Sequence, residues 1–270
     1  MVDTGTNELL CEVKNGVAVL TLNRPEKRNS LSNVLTPALR KMVQKLDEQS
    51  DVRCLVITGE GGSFCAGGDL GGMSGGQLAT GVESFDEKVD DLKKKQRTLT
   101  MRIRDFSKPT IAAVSGPAAG AGFSIALACD IRLASRSAFV TTAFSRIGLS
   151  GDYGGSWLLT QLVGTSVAKS LYFTSRRVGA EEGYRLGIFN EVFEDENFRS
   201  RFIEFAEEIA QGAPIALELM KQNLNRACEE PFEVCLDYEA ENLMKCAGTD
   251  DHKEAVSAFL EKRKPNFLGK

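Results

Sequence analysis

Two short apolar runs, Glu8–Val13 and Val17–Leu22, flank Asn15-Gly16. That spacing predicts an opening β-hairpin, because the two turn positions need the positive φ that Asn and Gly tolerate. Between Leu31 and Gln49 the residues Val34, Leu35, Leu39, Met42, Val43 and Leu46 recur at helical period and predict an amphipathic helix. Cys54–Thr58 then reads as a continuous apolar strand, buried on both faces. The alternation returns with a strand at Thr110–Val114, a helix at Ala121–Cys129 and a short strand at Ile131–Ala134. A charged helix is expected over about Ser84–Phe106, and the Gly71–Gly81 segment before it reads either as a solvated surface loop or as a mobile wall of the binding site, two roles that can coexist.

Strands alternating with helices imply the α/β class, a largely parallel sheet with ligands at the carboxyl ends of its strands. The character changes near Asn190–Asn197. Beyond it come helical periods at Phe202–Ile209, Ile215–Leu224, Phe232–Met244 and Glu254–Phe259, broken at Gly212-Ala213-Pro214 and at Glu230-Pro231. The reading is a core over residues 1–195 and a helical region over 196–270 that caps it or docks on another subunit.

A chain of 270 residues with 42% hydrophobic content can bury one large core. A net charge of -4 argues against a nucleic acid or an anionic membrane as the main partner. No apolar run reaches membrane-spanning length, and MVDTGTNE lacks a signal-peptide pattern, so a cytoplasmic location is expected. The seven cysteines show neither CxxC nor metal-ligand spacing and read as reduced core residues; no metal is expected. His252 is the only histidine and sits in a charged segment, which makes a histidine-based hydrolase improbable.

The chemistry concentrates in two small-residue loops, each following an apolar strand: CAGGDL at Cys65–Leu70 and GPAAGAGFSIALACD at Gly116–Asp130. Glycine and alanine allow close approach to the main chain, and the first N–H groups of a helix have no partner within it. Each loop can thus aim donors at an anion or a polarised carbonyl, and two such donors converging would make an oxyanion hole. Asp69 reads as a helix-start residue rather than a catalyst.

NRPEKRNSLS at Asn23–Ser32, GSFCAGGDL at Gly62–Leu70, GPAAGAGFSIALACDIRLAS at Gly116–Ser135, IGLSGDYGGSWLL at Ile147–Leu159 and FLEKRKPNF at Phe259–Phe267 together resemble the enoyl-CoA hydratase/isomerase family, the crotonase fold. The resemblance implies a ββα spiral core with a C-terminal helical region, a homotrimer or a hexamer built from two trimers, and a coenzyme A thioester as substrate, with no permanently bound cofactor. It places the oxyanion donors at the amides of Gly68 and Ala121. It assigns coenzyme contacts to Arg24, Lys27, the main chain of Cys65 and Ala66, and Phe259 with Lys262.

Hydratases of this family hold a water between two glutamates, whose positions here read Ser124 and Phe144. Neither side chain can act as a carboxylate base. Asp152, in LSGDYGGSW, stands where several branches carry a catalytic aspartate, and IGLSGDYGGSWLL most resembles the epoxyphenylacetyl-CoA isomerase-like branch. With Tyr153 and Trp157 close in sequence, this carboxylate should be partly desolvated and its pKa raised, which suits a general base. The competing reading is a turn aspartate that caps a helix starting near Gly154. Three functions follow: a 3-enoyl to 2-enoyl-CoA isomerase with Asp152 as acid and base, a hydratase with a non-standard site helped by Ser124 or Tyr153, or a non-catalytic acyl-CoA-binding subunit.

Overall fold

The computed structural model describes residues 1–69 and 84–270. The Gly71–Gly81 segment lies outside the described residues. β1 (Leu9–Lys14) and β2 (Val17–Leu22) form the expected antiparallel hairpin, with Asn15 (φ 51°) and Gly16 (φ 79°) both in left-handed backbone. α1 (Leu35–Asp47) starts four residues later than its apolar period suggested. The N–H of Leu31 donates to Gly67 O at 2.8 Å, so the chain first crosses to the glycine loop. The Ser32 hydroxyl then accepts the Leu35 N–H at 2.8 Å, satisfying a donor that the first turn cannot.

β3 (Cys54–Gly59) follows, and the described chain resumes in α2 (Phe85–Gln96), opened by a reciprocal capping box between Ser84 and Glu87. α2 does not run smoothly to Phe106: it widens into a π-helical turn at Arg97–Met101 and finishes in a last turn at Arg102–Arg104. Next come β4 (Thr110–Val114), β5 (Ala118–Ala119), α3 (Ala121–Ala128), β6 (Ile131–Ser135) and β7 (Phe139–Thr141). α4 (Gly155–Thr174) is broken at Gly164, φ 75°, and leads to β8 (Val178–Gly179), α5 (Ala180–Arg185) and β9 (Glu191–Phe193). The tail is helical, as its periodicity implied: α6 (Phe198–Ala210), α7 (Pro214–Arg226), α8 (Phe232–Ala247) and α9 (Asp250–Glu261).

The main sheet has the order β1-β2-β3-β4-β6-β9, and every pairing after the hairpin is parallel. β2, β3 and β4 are buried throughout because both faces are covered. Leu20, Leu22, Leu55, Ile57, Ala112 and Val114 face a core shared with Leu35, Leu39 and Met42 of α1 and with α3. Val17, Val19, Val56, Ile111 and Leu133 face Phe198, Phe202, Ala206 and Ala210 of α6. Burying each of those phenylalanines contributes roughly 1.5–3 kcal/mol, enough to seat α6 on the sheet. A second small sheet, β5-β7-β8, escaped the sequence pattern because its strands are two or three residues long.

One expectation about cysteines needs correcting. Cys11, Cys54, Cys65 and Cys129 are buried, but Cys228 is exposed and Cys235 and Cys246 are half-buried on the tail helices. All seven are free thiols. No helix among the described residues is long and apolar enough to cross a membrane.

Candidate active site

The two glycine loops leave the carboxyl ends of β3 and β4 and are laced to each other by main-chain hydrogen bonds. Phe64 N and Cys65 N donate to Pro117 O at 3.1 and 3.2 Å, and Ala119 N donates to Cys65 O at 2.9 Å. Glycine makes the approach feasible. A Cβ on Gly122 would lie 2.3 Å from Cys65 O, and one on Gly67 (φ +89°) would lie 2.7 Å from Ala119 O and 3.5 Å from Ala121 N.

Two amides emerge uncommitted from this contact. Gly67 O is held by the Leu31 N–H, and in a trans peptide the next N–H points the opposite way, so Gly68 turns its amide away from Leu31. Ala121 is the first residue of α3, where no carbonyl lies four residues back in the helix. Among the described residues neither N–H has an acceptor. Gly68 and Ala121 both line a cavity of about 410 Å³ whose wall also includes Phe144, Asp152 and Tyr153.

Asp152 sits in a stretch of left-handed backbone, between Gly151 (φ 112°) and Tyr153 (φ 52°) with Gly154 (φ 75°) next. Its carboxylate does not cap α4, since Gly154 is the cap residue and no side-chain bond forms there. Only its main-chain carbonyl serves the helix start, taking Gly155 N at 3.2 Å and the Ser124 hydroxyl at 3.1 Å. Asp152 Oδ1 is buried and, among the described residues, has no hydrogen-bond partner. Burial alone pushes the acid up from 3.8 to about 6. A carboxylate with one oxygen buried and unpartnered at a cavity wall is a stronger base than a solvated one, and Asp152 is the only acidic residue among the described lining.

The neighbours explain the desolvation. Tyr153 is buried; its N–H donates to Gln96 Oε1 at 2.8 Å and its hydroxyl accepts from Arg40 Nη2 at 3.1 Å. Tyr172, from the far half of α4, stacks on Phe144 with ring centroids 6.1 Å apart. Its hydroxyl would touch a Cβ on Gly155 at 2.8 Å. Burial, and then the charge of Asp152, push the Tyr172 phenol up to about 12, so it stays protonated. Sequence reading missed Tyr172 and Arg40, which lie in ordinary helical stretches and reach the site only through packing.

The family model for enoyl-CoA hydratase/isomerase matches residues 12–270. The chain belongs to the enoyl-CoA hydratase/isomerase family. It is 35% identical over 268 residues to the 1,2-epoxyphenylacetyl-CoA isomerase of Escherichia coli K12, covering 97% of this chain and 98% of that protein. The short-chain-enoyl-CoA hydratase of Clostridium acetobutylicum is also 35% identical, over 259 residues and 96% of both chains. The crystal structure of the enoyl-CoA hydratase from Bacillus anthracis superposes with a TM-score of 0.90 at 30% identity, covering 97% of this chain and 100% of that one. The fold is therefore the crotonase fold, and the chain is an acyl-CoA enzyme of this family.

As a member of this enoyl-CoA hydratase/isomerase family, the chain treats its expected coenzyme contacts unevenly. Arg24 is committed internally, its side chain 12% exposed and placed 3.4 Å from both Glu8 and Asp69 while donating to Ser30 O at 2.7 Å. Asp69 thus pairs with Arg24, and the residues that would show a helix after it lie outside those described. Lys27 is exposed at the end of a 3-10 turn over Pro25–Lys27. The amide and carbonyl of Cys65 are spent on the other loop, and Ala66 N on Arg28 O at 2.9 Å, so the Ala66 carbonyl is what this stretch retains for a ligand. Burial pushes the Cys65 thiol up to about 12.

Phe259 and Lys262 do not line the cavity. Phe259 is 83% exposed at the end of α9, and the segment beyond Lys262 is tied by Phe267 O to Arg53, at the amino end of β3 and so opposite the glycine loops. Trp157 also lies apart: it lines a second cavity, under the Arg104 guanidinium at 5.1 Å. Ser124 is buried beneath the Asp152 loop, where its hydroxyl is occupied by main-chain carbonyls. Among the described residues no cluster of three potential metal ligands occurs.

Proposed function

We propose that this enzyme moves a carbon–carbon double bond of an acyl-CoA from the 3,4 to the 2,3 position, with Asp152 as the single acid and base. The observation that carries the reading is the partnerless Asp152 carboxylate oxygen in the same cavity as two uncommitted amides. The thioester oxygen accepts the Gly68 and Ala121 N–H groups. Asp152 takes a proton from C2, the electron pair spreads over C2, C4 and the oxygen as a dienolate, and the protonated acid returns the same proton to C4. No atom is gained or lost.

Charge on the enolate oxygen develops only in the reaction, so fixed donors there favour the transition state over the bound substrate. Hydration would need a water held opposite a proton donor. The Ser124 hydroxyl, at one glutamate position of hydratases, is spent on Asp152 O, and Phe144 at the other carries no proton. For the coenzyme, we assign the adenine edge to the Ala66 carbonyl and phosphate to Lys27. Phe259 and Lys262 would act only from another copy of the chain, in keeping with a trimer formed through the exposed apolar residues of the tail, among them Leu224, Phe232 and Leu243.

The test is incubation of purified protein with 3-hexenoyl-CoA and, separately, with 2-hexenoyl-CoA, products resolved by chromatography. Interconversion of the two without a hydroxyacyl product is the expected result. A hydroxyacyl product would make the enzyme a hydratase, and binding without turnover would make it a carrier.

A further inference from the structure

A second cavity of about 260 Å³, open to solvent, adjoins the site cavity and is lined among others by Thr100, Met101, Trp157 and Leu158. Among the described lining residues, Tyr153 is the one shared by both cavities. Tyr153 is buried, with its N–H on Gln96 of the second lining and its hydroxyl on Arg40 of the first. Its backbone is held in a left-handed conformation, φ 52°, that a residue with a Cβ adopts at a cost. Two bonds keep it there, from its N–H to Gln96 Oε1 and from Arg40 Nη2 to its hydroxyl.

The helix opposite is also shaped around this wall. Gln96 is the last residue before the π-helical turn at Arg97–Met101, and Arg97, Thr100 and Met101 of that turn line the second cavity. Such turns interrupt a helix where side chains must be re-aimed, and they concentrate at functional sites. Here the turn lets Gln96 reach Tyr153 while Thr100 and Met101 face the space behind it. Met101, Trp157 and Leu158 give this cavity an apolar patch, rimmed by Arg97, Arg104 and Glu229 and open to solvent at Met101 and Trp157, onto which a hydrocarbon tail or an aromatic acyl group could lie.

Resting on the acyl-CoA site proposed above, we infer that Tyr153 is the specificity-determining wall that confines the acyl tail to the first cavity. The cavity behind it is room that a tail gains only when Tyr153 is made small. Each methylene moved from water into apolar surroundings tightens binding roughly fourfold, so a few carbons admitted past the wall change affinity strongly.

The experiment measures dissociation constants of butanoyl-CoA and decanoyl-CoA, both saturated and unreactive, by titration calorimetry. Wild type should favour butanoyl-CoA. In Tyr153→Gly, whose backbone suits φ 52°, the decanoyl-to-butanoyl Kd ratio should fall at least tenfold, and Tyr153→Phe should keep the wild-type ratio. Tyr153→Asn, which also tolerates left-handed backbone, replaces the glycine variant if that unfolds on a thermal melt. A ratio that stays constant in the small variants, or wild type binding decanoyl-CoA as well as butanoyl-CoA, overturns the inference. Turnover of 3-hexenoyl-CoA is scored separately: a changed ratio without turnover removes the proposed reaction and keeps the wall, and turnover with a constant ratio does the reverse.

Discussion

The Ser124 hydroxyl donates to the main-chain carbonyl of Asp152 at 3.1 Å and so pins the loop that carries this carboxylate. Gly155 packs against the same hydroxyl so tightly that a Cβ there would lie 2.4 Å from Ser124 Oγ. Ser124→Ala should therefore cost about 1 kcal/mol of stability and lower kcat more than it raises KM, because the loop loses its anchor. Ser124→Glu should destabilise further and create no hydratase activity, since the longer side chain has no room. Thermal melts and assays with 2-hexenoyl-CoA check both.

Asp152 must be ionised to act as a base, and burial places its acid near 6. kcat/KM for the 3-enoyl substrate should rise about tenfold per pH unit below that value and level off above pH 7. Tyr172 helps keep the carboxylate dry. Tyr172→Ala should admit water and move the acid limb of the profile toward the ordinary aspartate range, whereas Tyr172→Phe should leave it in place. An unmoved limb in the alanine variant would separate Tyr172 from this role.

The same burial makes Asp152 a weak point in the fold. Its acid lies near 6 in the folded protein against 3.8 in an unfolded chain, so between those values the folded state holds a proton that the unfolded state has released. Stability falls as pH rises through that window and stays lower above it, by an amount on the order of 3 kcal/mol. Asp152→Asn should lower turnover by about 10²–10⁴-fold while raising Tm relative to wild type at pH 8. The Tm gap should close near pH 4, as calorimetric scans at the two values would reveal.

Gly122 sits inside α3, where alanine would ordinarily stabilise the helix by roughly 0.5–1 kcal/mol. Against the other loop it has no such freedom, because a Cβ would meet Cys65 O at 2.3 Å. Gly122→Ala should push the loops apart, lower Tm, and cost the roughly 2.7–4 kcal/mol that one misplaced oxyanion donor carries, read as a loss of at least 10²-fold in kcat. A more stable and fully active variant would show that the loop contact is unrelated to catalysis.

Legibility in the sequence followed the range of the forces involved. The hairpin at Asn15-Gly16, the parallel strands and the tail helices rest on local periodicity and turn chemistry, which a single chain displays directly. Boundaries failed where a distant partner intervened, as when Leu31 left its helical period to bond Gly67 O. The coenzyme contacts behaved likewise. Arg24 reads as a loop cation, but its partners Glu8 and Asp69 come from segments far apart in the chain.

By itself the sequence determined the α/β architecture, the two glycine loops and the single candidate carboxylate, because each is written in residue type and short spacing. The tertiary structure decided that one carboxylate oxygen of Asp152 is buried and, among the described residues, unpartnered, that Tyr172 and Arg40 lie beside it, and that Phe259, Lys262 and Trp157 stand outside its cavity. Desolvation and shared walls depend on which side chains from remote elements fill the space around a group, and that is fixed only when the helices pack.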